Sequence, residues 1–397
     1  MSSARSVRKP PARIGLALAG GGPVGAVHEV AALCALQDGL AGIDFAALDV
    51  YVGVSAGAFV ASLLANGITP QQLRRILVEA DSAEHPIDPN VFLSPAVDEL
   101  AQRAAMLPGV LLEAVQRCLH GPWASRLELL AGLGRLLPSG LFSGDKLARF
   151  LEQAFAAEGR SNDFRRLRTK LRLVATDLDS GEAVVFGSPG HDDVPISRAV
   201  QASSALPGLY PPVRINGRDH VDGVLRKTMH ASVALREGAR LLFCINPIVP
   251  FDAQLAARRG HPWRGRLVNG GLPTVLSQAF RTLIHSRMQV GMAGYPGTYR
   301  GARVLLFEPP RDDPHLLFTN VFNEATRRRV FEQTYRWTLR DLAARRRELT
   351  PWLAPYGISI RATRRPAAAA PNGPAGMDVA QRLGGTLDRL ERWIGPR

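Results

Sequence analysis

Apolar and polar positions in this chain switch between two periods within the first eighty residues. Ile14–Ala19 (IGLALA) is an unbroken apolar run, and LDVYVG, residues 48–53, is a second stretch, apolar after Asp49 and closed by glycine. Runs this short, apolar on both faces, predict strands of a parallel sheet covered by helices. Between them GAVHEVAALCALQDGL, residues 25–40, sets Val27, Val30, Ala31 and Cys34 on one helical face. SAGAFVASLLANG, residues 55–67, predicts another helix, ended by Gly67 after Asn66. The order strand, helix, strand, helix places the chain in the α/β class.

The pattern changes from about Pro86 to Pro138, where LPGVLLEAVQRCL and RLELLAGLGRLL give apolar and amphipathic helices. We read this as a helical insertion carried by the sheet domain, with the role of a lid or of a plain helical subdomain. Strands return in LRLVATDLDSGEAVVFG, a hairpin turning at Asp179–Gly181, and in ARLLFCINPI. ARVLLFEP is expected as the last strand. TRRRVFEQTYRWTLRDLAARRREL, residues 326–349, reads as a helix with Val330, Phe331, Tyr335 and Leu339 inward and its arginines in water. RRPAAAAPNGPAG is an Ala/Pro linker, followed by an apolar stripe from Val379 to Ile394. The expected organisation is a basic tail over 1–13, a sheet domain over 14–235, completing elements over 236–360, and a linker with a short amphipathic helix over 361–397.

Composition narrows the class without deciding it. With 46% hydrophobic and 21% charged residues the chain has material for a sizeable core. Cys34, Cys118 and Cys244 lack CxxC spacing, which argues against a disulfide framework or zinc site and for reduced thiols in a cytosolic protein. The apolar run at the N-terminus is shorter than the roughly 7–15 residues of a signal peptide core. No later run reaches the ~20 apolar residues of a transmembrane helix. A formal net charge of +14 favours anionic partners, an acidic membrane surface or nucleic acid. No nucleic-acid-binding motif accompanies the arginine runs, so no nucleic-acid partner is expected.

Three short stretches carry chemistry. Gly53-Val54-Ser55-Ala56-Gly57 is a GxSxG between a predicted strand and a predicted helix. That context holds a serine hydroxyl exposed on a sharp turn, under the dipole of the following helix. The local alternative is an ordinary helix cap. Asp222-Gly223 ends a short strand-like segment, where a carboxylate is placed to serve as base and a simple turn is the alternative. Gly20-Gly21-Gly22-Pro23-Val24-Gly25 fits GxGxxG, yet the second strand ends in Gly53-Val54-Ser55 and not in the acidic residue a dinucleotide site needs. The Gly-Lys-Ser/Thr of a P-loop is absent. Side-chain-free residues at a helix start also suit an oxyanion, because their backbone N–H groups are accessible.

In their order these blocks resemble the patatin-like phospholipase family. QASSALPGLYPPVRINGRDHVDGV, with Ala202, Ser203, Pro207, Pro211 and Pro212 ahead of the aspartate, is similar to the family's proline-rich block. GLFSGDKLARFLE and VATDLDSG also match, and the likeness spans roughly Ile14–Leu235. The resemblance implies a three-layer α/β fold with a mostly parallel sheet and cleavage of glycerolipid esters by a Ser–Asp dyad. Ser55 would be the nucleophile and Asp222 the proton acceptor. Gly20, Gly21, Gly22 and Gly25 would form the oxyanion loop, with Gly53, Gly57 and Gly223 as motif glycines. No metal or organic cofactor is implied, and the expected location is cytoplasmic with peripheral contact to an anionic membrane. Two positions depart from the family pattern: Val24 stands where Arg or Lys is usual, and Val224 follows Asp-Gly. The alternatives are a soluble esterase or thioesterase with a Ser–His–Asp triad, and a non-catalytic lipid-binding module.

Overall fold

The structure is a computed structural model that describes residues 13–79, 94–97, 99, 101, 103–109, 112, 137–260, 266–313 and 323–362. Most of the expected insertion, the tail before Arg13, the segment after Ala362 and Cys118 lie outside the described residues. Within the insertion, residues 103–109 are helical.

The sheet is built around β1 (Arg13–Leu18), which pairs in parallel with β3 (Val50–Gly53) on one side and β8 (Ala239–Ile245) on the other. β4 (Lys170–Asp177) continues the parallel order beyond β3, and β9 (Arg303–Phe307) continues it beyond β8. Three antiparallel strands complete the sheet: β5 (Ala183–Phe186) and β7 (Arg218–Asp222) on β4, and β6 (Val213–Ile215) on β7. The order β6-β7-β4-β3-β1-β8-β9, with β5 also on β4, is an eight-stranded, mostly parallel sheet. A separate pair joins β2 (Leu40–Ala41) to β10 (Ser359–Ile360), so β9 ends the main sheet but is not the last strand.

Alternation along β1 divides the core. Leu16 and Leu18 enter one buried cluster, Ala17 and Ala19 the other. The first is covered by α1 (Gly22–Gly39), α2 (Ala56–Ala65), α3 (Pro70–Arg74), α4 (Asp145–Phe155) and α5 (Ile196–Ser203). The second lies under α6 (Ala231–Arg236) and part of α8 (Gly271–Thr298), with α7 (Ala253–Arg258) between them in the chain. Both sheet faces are thus covered, which explains the strands' continuous apolar runs.

Two helices differ from their sequence reading. α1 is buried all round and not on one face alone, because α9 (Glu324–Ala344) packs on its outer side. His28 and Glu29 are inside with it; His28 Nδ1 lies 3.0 Å from Thr334 Oγ1 of α9, and burial holds the histidine's pKa down to about 3. The helix expected over 326–349 ends at Ala344 and resumes as α10 (Arg346–Leu353) after Arg345 leaves helical geometry. Its inward face holds Val330 and Phe331 as expected, but also Arg327, while Tyr335 and Leu339 are only half-buried. Arg13, grouped with the tail, is the first residue of β1 and donates from Nη1 to Glu237 O at 2.8 Å. Cys34 and Cys244 are free and buried.

Candidate active site

The turn from β3 to α2 holds Ser55 at φ 55°, ψ −122°, a backbone state that side chains with a Cβ rarely adopt. Neighbouring hydrogen bonds over-determine it. Ser55 N–H donates to Ser203 Oγ at 2.9 Å, and Ser203 in turn donates to Val174 O at 2.6 Å. Gly57 N–H donates to Ala19 O at 3.0 Å, tying the start of α2 to the end of β1. That approach leaves no room for a side chain: a Cβ on Gly57 would lie 2.5 Å from Leu18 O and 2.6 Å from Ala19 O.

Asp222 ends β7, its position fixed from three sides. Its N–H donates to Ala205 O at 2.9 Å, its carbonyl accepts from Thr176 Oγ1 at 3.2 Å, and Oδ1 accepts from Val224 N–H at 2.9 Å. A Cβ on Gly223 would collide with Val174 O, the same carbonyl that receives Ser203. The carboxyl is 1% exposed, and burial pushes its pKa up to about 7. Hydrogen bonds from the Ser55 side chain and from Val224 N–H pull it back only in part. The fold therefore brings together two side chains that lie 167 positions apart in the sequence.

The glycine run lies beside them. Gly21 has φ 152°, ψ 6°, and α1 begins at Gly22 with Pro23 in its first turn. A Cβ on Gly20 would be 3.2 Å from that of Ser55, so the loop passes directly over the serine. Among the described residues no backbone acceptor is recorded for the N–H groups of Gly20, Gly21 and Gly22. Gly25 behaves differently. Its N–H donates to Gly21 O at 3.0 Å, and it packs where a Cβ would lie 3.1 Å from Pro247 Cγ. Val24 is half-buried and packs against the core. Helices α1 and α2 both begin at this spot, so two N-terminal dipoles favour negative charge there.

Ser55, Asp222, Gly21 and Gly22 line one cavity of about 780 Å³. Its walls are largely apolar, from Phe59, Leu206, Leu209, Leu276, Phe280 and Ile284. Arg198, Arg214 and Arg281 supply its positive charge, and burial lowers the pKa of Arg281 to about 10. No histidine lines it among the described residues. His220 packs instead on Phe186, ring centroids 5.4 Å apart. His230 Nε2 sits 3.2 Å from Gly223 O, and burial lowers its pKa to about 4. Among the described residues no three His, Cys, Asp or Glu side chains converge as a metal would require.

Ser203 stands in the proline-rich block with no function marked by the sequence, since nothing local ties its hydroxyl to a serine 148 positions away. α8 carries no motif that marks it as part of a site, although six of its residues, Pro273, Leu276, Ser277, Phe280, Arg281 and Ile284, line the cavity.

The family model described as patatin-like phospholipase matches residues 16–235. A Bacillus subtilis relative, the uncharacterized protein YqhO, is 25% identical over 169 residues, which are 41% of this chain and 47% of that protein. The match thus spans about half the relative's length. Among solved structures, VipD from Legionella pneumophila aligns over 84% of this chain and 67% of its own, at 17% identity and TM-score 0.42. Human GIVD cytosolic phospholipase A2, in complex with methyl gamma-linolenyl fluorophosphonate, aligns over 87% and 59%, at 13% identity and TM-score 0.36.

Proposed function

The chain belongs to the patatin-like phospholipase family, and from that premise we propose that it is an ester-bond hydrolase acting on lipid, in which Ser55 and Asp222 work as a catalytic dyad on glycerolipid esters. The observation that carries this reading is that Ser55 and the buried Asp222 carboxyl line one cavity, where the serine pulls back the pKa that burial raises, and the described lining holds no histidine.

As Ser55 Oγ attacks the acyl carbonyl, its proton passes to the Asp222 carboxylate. A carboxylate in water, with pKa near 3.9, is a poor base for this; one held near 7 by burial is a far better one. The carbonyl oxygen becomes an oxyanion, and the N–H groups of Gly20, Gly21 and Gly22 are the donors at hand, with the dipoles of α1 and α2 behind them. Gly25 contributes differently, by holding Gly21 through its N–H and allowing Pro247 close. Asp222 then returns the proton to the departing alcohol. Water, losing its proton to the same carboxylate, cleaves the acyl-serine and releases the fatty acid. Apolar walls suit acyl chains, and the arginines suit a negatively charged head group, which favours a phospholipid or lysophospholipid.

The test is steady-state hydrolysis of a soluble short-chain ester. Ser55→Ala and Asp222→Asn each remove nearly all activity, and the double variant is barely worse than either single one. His220→Gln retains activity. Equal loss in His220→Gln and Ser55→Ala contradicts the dyad.

A further inference from the structure

Helix α8 runs for 28 residues and buries only Ile284, His285 and Met288. The spacing of its large apolar residues explains what remains outside. Leu272, Leu276, Phe280, Leu283 and Val290 follow one another at steps of three, four or seven, so they share one stripe along the helix. All five are between 47% and 75% exposed. The outward stripe of a surface helix in water is normally polar, and an apolar one this long marks an interaction surface.

Charge narrows the partner. The 28 residues contain no Asp or Glu, while Arg281 and Arg287 are both present. The stripe is also continuous with the cavity, since Leu276 and Phe280 belong to both. Leu209, 43% exposed, brings a further apolar side chain to the cavity from the loop after α5. Among the described residues no helix is long and apolar enough to cross a membrane, so α8 is suited to lie in an interface and not to span it.

We infer that the outward stripe of α8 docks on an anionic lipid surface and sets the mouth of the Ser55 cavity against it. This rests on the lipid-hydrolase reading of that cavity, because it is the cavity's acyl substrate that makes a lipid surface the fitting occupant. A second copy fits less well. A two-fold contact along this stripe would pack together two helices that each carry arginines and no carboxylate, so nothing on either helix offsets their like charge.

The experiment is co-sedimentation of the full chain with phosphatidylglycerol/phosphatidylcholine vesicles, and with phosphatidylcholine alone. Leu272→Glu/Leu283→Glu changes two exposed residues that do not line the cavity. It should weaken partitioning at least tenfold and leave hydrolysis of a soluble short-chain ester within about twofold. Arg287→Gln should weaken binding to the anionic vesicles by about fivefold and change little on the neutral ones. Unaltered vesicle binding by the double variant overturns the inference. So does sedimentation velocity that finds a dimer split by the same variant, with no vesicle binding by the wild type. If soluble-ester hydrolysis does not depend on Ser55, the dyad falls, while the vesicle result still judges the docking face.

Discussion

Burial pushes the pKa of Asp222 up to about 7, with no cationic side chain against it among the described residues, and two opposite consequences follow for pH. A base must be ionised, so hydrolysis of a soluble ester rises with pH through about 7 and levels off above it. Stability moves the other way. In the unfolded chain the carboxyl ionises near 3.9, in the folded chain near 7, so its contribution is complete below the lower pH and is lost as pH climbs to the higher. Asp222→Asn removes that loss, on the order of a few kcal/mol, and so should raise Tm at pH 8 and leave it nearly unchanged at pH 4. Thermal unfolding at the two pH values checks this; an equal shift at both contradicts it. Ser203 acts through Ser55, whose N–H it receives. Ser203→Ala leaves that N–H without its acceptor, costing about 1–3 kcal/mol of stability and relaxing the strained turn. We expect kcat to fall by about tenfold with KM little changed, and a loss confined to KM would remove Ser203 from any positioning role. Ser55 and Asp222 were legible in the sequence because short motifs surround them. Ser203 was not, since its partner is brought to it only by the packing of α5 against β4 and the start of α2.

Among the elements, the glycine loop has the sharpest requirement. Gly21 combines φ 152° with an approach that would set a Cβ 2.7 Å from Pro247 Cγ and 2.9 Å from Gly25 Cα. Gly21→Ala displaces the loop, and if its N–H groups hold the oxyanion, kcat should fall by ~10²-fold with KM nearly constant. A variant with wild-type kcat contradicts that use of the loop. The strand–loop–helix units β1–α1 and β3–α2 were readable in advance, because each apolar run and its glycine punctuation are local. What escaped was set by distant neighbours. The one-faced pattern predicted for α1 gives way to burial of the helix from Gly25 to Leu36, because α9, some 300 residues later, covers its outer side. That same packing draws Arg327 inward from a run expected to face water. α8 was illegible for a different reason: its apolar stripe faces outward, so hydrophobic spacing, which normally locates a core face, points away from the core.

For the whole molecule, the sheet order explains why the site exists where it does. β1, β3 and β7 deliver the glycine loop, Ser55 and Asp222 respectively, and β4 stands between β3 and β7, touching both halves through the Val174 carbonyl. The fold class was legible because parallel strands buried on both faces read as unbroken apolar runs; the antiparallel β5, β6 and β7 extend that plan without changing it. The net charge of +14 belongs to the chain as a whole, whereas α8 pairs two arginines with an apolar face on one helix. The central claim, that a carboxylate and no histidine activates Ser55, is tested most directly by fluorophosphonate labelling with peptide mapping. The wild type should be modified at Ser55, at a rate that rises through about pH 7. Asp222→Asn should label at least ~10²-fold more slowly, and His220→Gln at the wild-type rate. Undiminished labelling of Asp222→Asn, or its abolition in His220→Gln, would contradict the dyad.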